Sequence, residues 1–211
     1  MSASKLHSEV LRYTHLPALL HMLKTRTITL LDPDTWEDRN DARYLAIFKE
    51  KSGLQAVHAL CMTQVPETFH HWKVFAPGSA GVCIYFRRKR FLESMSDSGV
   101  EWREVDYLTI KEARAFSFRT EDLPYLKRAG YRPEGELRLL HSSTADPSPV
   151  HDVPLSVDLI SKVSLNPWLP LALSEAVKVA ICKAEGCSEL KVTRSTLISN
   201  AEWQSLGASA T

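Results

Sequence analysis

The chain has 211 residues, of which 44% are hydrophobic and 24% charged, and its formal net charge is +1. Those values describe one soluble globular domain, and so small a net charge excludes a global basic field for nucleic acid or an anionic membrane. The longest apolar runs, such as "LPLAL", are too short to span a bilayer, and "MSASKLHSEVLRY" lacks the apolar core of a secretion signal, so a cytoplasmic protein is expected.

In chain order, "VLRYTH" (10–15) reads as a first strand and "LPALLHMLK" (16–24) as an amphipathic helix that tolerates Pro17 in its first turn. "TITLLD" (27–32) is a β-branched second strand, and "DPDTWEDRNDARYLAIFKEK" starts as a loop and becomes a helix near Asn40 or Asp41. "AVHALCMTQV" (56–65) is a buried strand, "PETFHHWKVFA" a helix opened by Pro66 and Glu67, and "GVCIYF" (81–86) a strand that the basic run "RRKRF" ends. A strand around "WREVDYL" precedes a helix over 121–130 and then the strand "EGELRLL". "SSTADPSPVHDVP" (142–154) reads as a surface loop. After it come a helical turn into a strand at "LSVDLISKVSLNP", an amphipathic helix at "LPLALSEAVKVAICKAEG" capped near Gly186, and a last strand at "ELKVTRSTL". No repeat or Gly/Ser linker divides the chain, so it reads as a single domain over 1–211, with a core at 10–140 and a helix-strand extension at 155–200. Strands and helices mix without a regular βαβ beat, which gives an α+β fold of mixed or antiparallel sheets flanked by helices.

Several chemistries lose their support at once. There is no G-x-G-x-x-G, no Walker-type phosphate loop, no G-x-S-x-G elbow and no H-E-x-x-H pair. Cys61, Cys83, Cys182 and Cys187 include no C-x-x-C, so no metal site is expected, and four mostly buried free thiols fit a reducing compartment. His70 and His71 are adjacent on a helix and diverge by about 100°, which does not suit a shared ligand. The "RRKR" run suits a solvated turn as well as a phosphate contact, and Trp36, Asp38 and Asp41 form an acidic-aromatic corner that suits turn formation or helix capping.

The best candidate is "YRPEGELRLLH", where Glu134, Glu136 and Arg138 alternate with Gly135, Leu137 and Leu139. On a strand they share one face. That face is either a solvated surface, with Arg138 screening two like charges, or a pair of carboxylates held rigidly for chemistry. A metal-dependent nuclease would need Asp38, Asp41 and Glu136 to converge.

The ordered landmarks "VLRYTHLPALLHMLKTRTITLL", "WEDRND", "LCMTQ", "WKVF", "GVCIYF" and "EGELRLL" resemble a large bacterial domain-of-unknown-function family. The similarity covers about 10–140. The chain departs from the family at Glu37-Asp38-Arg39, in place of Asn-Asp-Pro, and at Phe75, in place of Tyr. More distantly, the layout is similar to the ADP-ribosyltransferase fold. That resemblance implies a glycosyltransferase-class enzyme with NAD as substrate and no metal. Glu136 would stabilise an oxocarbenium-like ribose and Glu134 would position the acceptor. Tyr13, Arg12 and His15 would hold the adenylate half, Thr63 would sit on the central strand, Trp72 or Phe75 would stack on nicotinamide, and Arg138 would complete the dinucleotide site. It further implies a toxin or phage-defence effector with a protein or nucleic-acid acceptor and no membrane partner. A non-catalytic ligand-binding or protein-interaction module on the same scaffold is the alternative.

Overall fold

The computed structural model describes residues 8–208. Strand β1 (Glu9–His15) passes directly into helix α1 (Leu16–Thr25) because His15 is extended and its Nδ1 accepts from Ala18 N at 3.2 Å. Pro17 sits in the first turn, where its missing N–H costs nothing. Strand β2 (Thr27–Leu31) follows, and Asp38 then caps helix α2 (Arg39–Lys51) by accepting from Asn40 N and Asp41 N. After strand β3 (Ala56–Thr63), Thr68 rather than Pro66 opens helix α3 (Phe69–Phe75), its hydroxyl accepting from His71 N. Strand β4 (Gly81–Arg87) begins at a glycine because a Cβ there would lie 2.1 Å from Ala76 O.

The basic run ends β4 at Arg87, as expected, and also opens helix α4 (Arg88–Asp97), which buries Phe91, Leu92 and Met95 along one stripe. The expected strand at 102–108 is two: β5 (Glu101–Glu104) and β6 (Asp106–Leu108), parted at Val105, whose N–H bonds Glu136 O at 3.0 Å. Helix α5 (Ile110–Ala115) carries a capping box between Thr109 and Glu112. No helix forms over 121–130. Pro124 and Pro133 each remove an amide donor, so the segment folds as a 3-10 turn, strand β7 (Leu126–Arg128) and a second 3-10 turn ending at Glu134. Strand β8 (Glu136–Ser143) follows. The proline-rich loop gives way to strand β9 (Val150–Pro154), and then come β10 (Ile160–Leu165), α6 (Leu171–Cys182), β11 (Val192–Arg194) and α7 (Ala201–Ala208).

Two compact units result. Unit 1 holds residues 8–10, 27–65 and 88–155. Its sheet runs β9-β2-β3-β8-β5 with every pair antiparallel, and β6 pairs β7 in parallel beside it. The register of β3 against β8 sets Thr63 opposite Glu136, Cys61 opposite Arg138 and Ala59 opposite Leu140. Leu45 of α2, Val57, Ala59, Tyr125 and Leu140 form its core. At the far end, His58 of β3, His141 of β8 and His151 of β9 stack, the last two with ring centroids 3.5 Å apart. Burial first, then the neighbouring imidazoles, hold His141 and His151 below the ordinary histidine range.

Unit 2 holds Leu11–Arg26, Pro66–Arg87 and the chain from Ser156. Here the order is β1-β4-β10-β11, with β4 antiparallel and β11 parallel to β10. Leu11, Trp72, Ala76, Cys83 and Tyr85 form its core. The fold is therefore α+β, with mixed and antiparallel sheet flanked by helices. Among the cysteines, Cys83 and Cys187 are buried as expected, but Cys61 is exposed although it lies between buried Leu60 and Met62. Among the described residues, no helix is long and apolar enough to cross a membrane.

Gly135 joins the second 3-10 turn to β8 at φ 52°, and a Cβ there would meet Val65 Cγ1 at 2.4 Å. Gly135→Ala is expected to cost about 1–3 kcal/mol of stability, through left-handed strain and this clash. Denaturant unfolding with an unchanged midpoint would contradict that account.

Candidate functional site

Arg138 sits in the middle of β8 and is 0% exposed. Isolated, such a charge would cost several kcal/mol (roughly) to bury. Every N–H donor of its fork is engaged instead. Nη1 and Nη2 grip Asp41 bidentately at 2.7 Å each, Nη1 also reaches Pro124 O at 2.7 Å, and Nε donates to Glu136 Oε1 at 2.8 Å. Nη2 lies 2.7 Å from that same Glu136 oxygen. Trp36 covers the guanidinium, its ring 5.1 Å away.

A second cation closes the cluster. Lys127 of β7 donates to Glu134 Oε2 at 2.7 Å and to Glu136 Oε2 at 3.1 Å, and it lies 3.8 Å from Asp41 Oδ2. Glu134 is not on the strand with Glu136, as the alternation suggested. The left-handed Gly135 turns the chain between them, and Lys127 brings the two carboxylates together from the far side. Thr63 secures the corner from β3 by donating to Glu134 O. Tyr107 of β6 accepts from Glu136 N at 2.8 Å. Burial is the main reason its phenol is pushed up to about 12.

The electrostatics follow from this packing. Burial works against the charge on Glu136, but Arg138 and then Lys127 outweigh it and hold the carboxyl below the usual carboxylate range. Burial also opposes the Lys127 ammonium, and Glu136 and Glu134 together raise it above the ordinary lysine value. Burial pushes the Asp41 carboxyl up despite its bidentate arginine. Three carboxylates thus face two cations. Exposed Cys61 lies directly across from Arg138 on the same sheet face as Glu136, and Asp41 and Lys127 line an open cavity on another side of the cluster.

Of the sequence candidates, Glu134, Glu136, Thr63 and Arg138 meet in unit 1, and the row is no solvated strand face. Arg138 has no N–H left for a dinucleotide; it positions Glu136 and Asp41. Asp41 and Glu136 converge as a nuclease site would need, but Arg138 and Lys127 stand between them where a divalent ion would. Among the described residues, no group of three His, Cys, Asp or Glu side chains is arranged to hold a metal. Asp41 was grouped with Glu136 only for a metal site, and nothing in the sequence pointed to Lys127. The visible signal was an acidic residue one turn into a helix, which local rules assign to capping.

The other candidates lie in unit 2. Tyr13 stacks on His71 at 5.2 Å and meets Trp72 edge-on at 5.1 Å. Its hydroxyl is buried beside the Cys83 thiol, and burial raises it well above the ordinary phenol value. Trp72 is wholly buried and its indole N–H donates to Glu67, so it offers no face to a nicotinamide; Phe75, which is exposed, does. Arg12 and Tyr13 are successive on β1 and point to opposite faces, so they do not line one ligand together. His15 is spent on capping α1.

Two outcomes are expected. Asp41→Asn leaves Arg138 short of a charge it needs and should cost about 3–5 kcal/mol of stability, read from denaturant unfolding; an effect below 1 kcal/mol (roughly, the value of an exposed pair) would show the cluster to be solvated. Asp122, held by Arg119 and then Arg103, has its carboxyl lowered to about 2. A carboxyl depressed in the folded state contributes stability fully above its unfolded value, about 3.9, and loses it as pH falls through the folded one. Thermal stability should therefore drop between about pH 4 and pH 2, and Asp122→Asn should flatten that slope relative to wild type.

No family model and no curated protein matches the chain. It is similar to solved structures of Thermus sp. 2.9 DarT. With the NAD+ complex the TM-score is 0.48 at 10% identity, over 92% of this chain and 98% of that one. With the complex of ADP-ribosylated ssDNA the TM-score is 0.48 at 11% identity, over 92% and 97%. The carba-NAD+ complex gives 0.42 at 9% identity, over 90% and 96%. At such scores these are likenesses only, and the chemistry of this chain rests on its own residues.

Proposed function

We propose that the Glu136 cluster is the centre of an NAD-dependent ADP-ribosyltransferase acting on a macromolecule. The observation that carries this reading is the charge balance: a nearly buried carboxylate, kept ionised, in a cluster with more carboxylates than cations. A site of that kind favours positive charge developing on a sugar, which is the demand of glycosidic cleavage.

In the reaction, the bond between nicotinamide and the ribose anomeric carbon breaks, and nicotinamide leaves neutral with the electron pair. Glu136 stabilises the oxocarbenium-like sugar. The acceptor's nucleophilic atom then bonds that carbon and releases its proton to water. Glu134, held by Lys127 and through its backbone by Thr63, positions the acceptor. Arg138 and Asp41 are positioning residues that fix the Glu136 carboxylate. Such chemistry suits an effector of toxin or phage-defence type.

One observation favours a second reading. Both oxygens of Asp41 and of Glu136 already have cationic partners, as a rigid floor for a non-catalytic ligand-binding module would. NAD consumption separates the two. DarT was solved with NAD+ and with ADP-ribosylated ssDNA, so single-stranded DNA is the first acceptor to supply, followed by RNA and protein. Wild type is expected to consume NAD and label an acceptor. Glu136→Gln should lose about 10²–10³-fold in turnover, the scale of one lost electrostatic contact to the transition state, with its circular dichroism unchanged. Glu134→Gln should lose transfer more than NAD cleavage. No turnover with any acceptor, together with no NAD binding by calorimetry, would eliminate the transferase and leave the module.

A further inference from the structure

A cavity of about 290 Å³ lies in unit 1 between α2, α5 and β7, and Asp41 and Lys127 of the Glu136 cluster form one side of it. Its walls are aromatic and aliphatic: Tyr44, Phe118, Leu108 and Ile110. Tyr44 and Phe118 meet edge to face at 6.1 Å, and Phe116 continues the row at 5.2 Å from Phe118. Phe116, Phe118 and Ile110 are all exposed, although the nearby unit core is closed. Aromatic side chains left in water beside a cavity present flat apolar faces that a planar ring can cover.

Arg39, Arg43 and Arg128 also line the cavity, and among the described residues no side-chain hydrogen bond or ion pair engages any of them. Arg39 and Arg43 are one helical turn apart on α2, a like-charge spacing that destabilises a helix unless an anion lies nearby. Two carboxylates share the cavity, and neither serves these arginines. Asp41 is gripped by Arg138, and Asp38 Oδ1 caps α2. The remaining oxygen, Asp38 Oδ2, is buried, and the Asp38 carboxylate lies beside the Tyr131 phenol, which its charge pushes up.

From these features we infer that the cavity is a nucleotide site, taking a single phosphorylated base. The base lies against Phe118 and Tyr44. The phosphate meets the fork donors of Arg39, Arg43 and Arg128, the side chains best suited to planar, bidentate phosphate contact. The volume sits at the low end of ligand pockets, about 300–1,000 Å³, which fits one nucleotide rather than a dinucleotide. The cavity adjoins the Glu136 cluster through Asp41 and Lys127, and nucleotide binding there is read by calorimetry, separately from NAD turnover.

Calorimetry on the full chain tests this with four probes: adenosine monophosphate, adenosine, inorganic phosphate and a 5′-phosphorylated single-stranded oligonucleotide. Adenosine monophosphate is expected to bind at least about 10-fold tighter than adenosine or phosphate alone, since base and phosphate are each held. Arg43→Gln and Phe118→Ala should each weaken it by about 10-fold or more. Both side chains are exposed, so unchanged melting curves will show that the variants fold. An oligonucleotide that binds tighter than the free nucleotide, and is lost in the same variants, identifies the ligand as a strand end; the reverse order identifies a free nucleotide. Adenosine monophosphate binding no tighter than phosphate, or binding the two variants as well as wild type, overturns the proposal.

Discussion

A guanidinium with no access to water is the constraint on which unit 1 is built. Arg138 cannot be buried alone, and its partners come from widely separated parts of the chain: Asp41 from α2, Pro124 O from a 3-10 turn, Glu136 from its own strand and Trp36 from the loop before α2. Each partner must arrive at hydrogen-bonding distance, so the guanidinium sets where α2 and the proline-containing turn lie against the sheet. A buried ion pair of this kind contributes little net stability over an apolar substitute, but a half-broken one is costly. Its effect is to make one arrangement of these segments far better than its neighbours.

The same constraint creates the chemical opportunity. Satisfying Arg138 takes two carboxylates, and Lys127 answers a third, so the cluster keeps more negative than positive charge in a poorly hydrated place. Low local dielectric strengthens such an imbalance and lets it act on a bound ligand. Exposed Cys61 is on the face that carries Glu136. In unit 2 the polar centre is of another kind. Glu67 accepts from both the buried Trp72 indole and Ser195, and His71, bonded to Thr68, stacks on Tyr13. Its charge is answered by neutral donors, and it builds a core rather than an electrostatic field.

Much of the fold was legible along the chain because its signals are local. The His15–Pro17 junction, the β-branched β2, the Asp38 cap and the apolar β3 and β4 all carry their own instructions over a few residues. Expectations failed where two signals competed. "RRKRF" does end β4, but Phe91, Leu92 and Met95 also supply a helical stripe that local charge concealed. The 121–130 stretch has helix-forming residues, but Pro124 decides against an α-helix. The proline-rich loop hides β9 because that strand exists only by pairing with β2, a partner more than a hundred residues earlier.

The sequence by itself determined the alternating row at Glu136 and Arg138, the absence of phosphate loops and metal motifs, and the α+β class, since all of these depend on residue identity and short-range periodicity. Only the tertiary structure decided what the row faces. Two-residue alternation places side chains on one side of a strand but says nothing about what covers that side. Here α2 and β7 bring Asp41 and Lys127 onto it, and that turns a charged strand face into a buried ionic cluster.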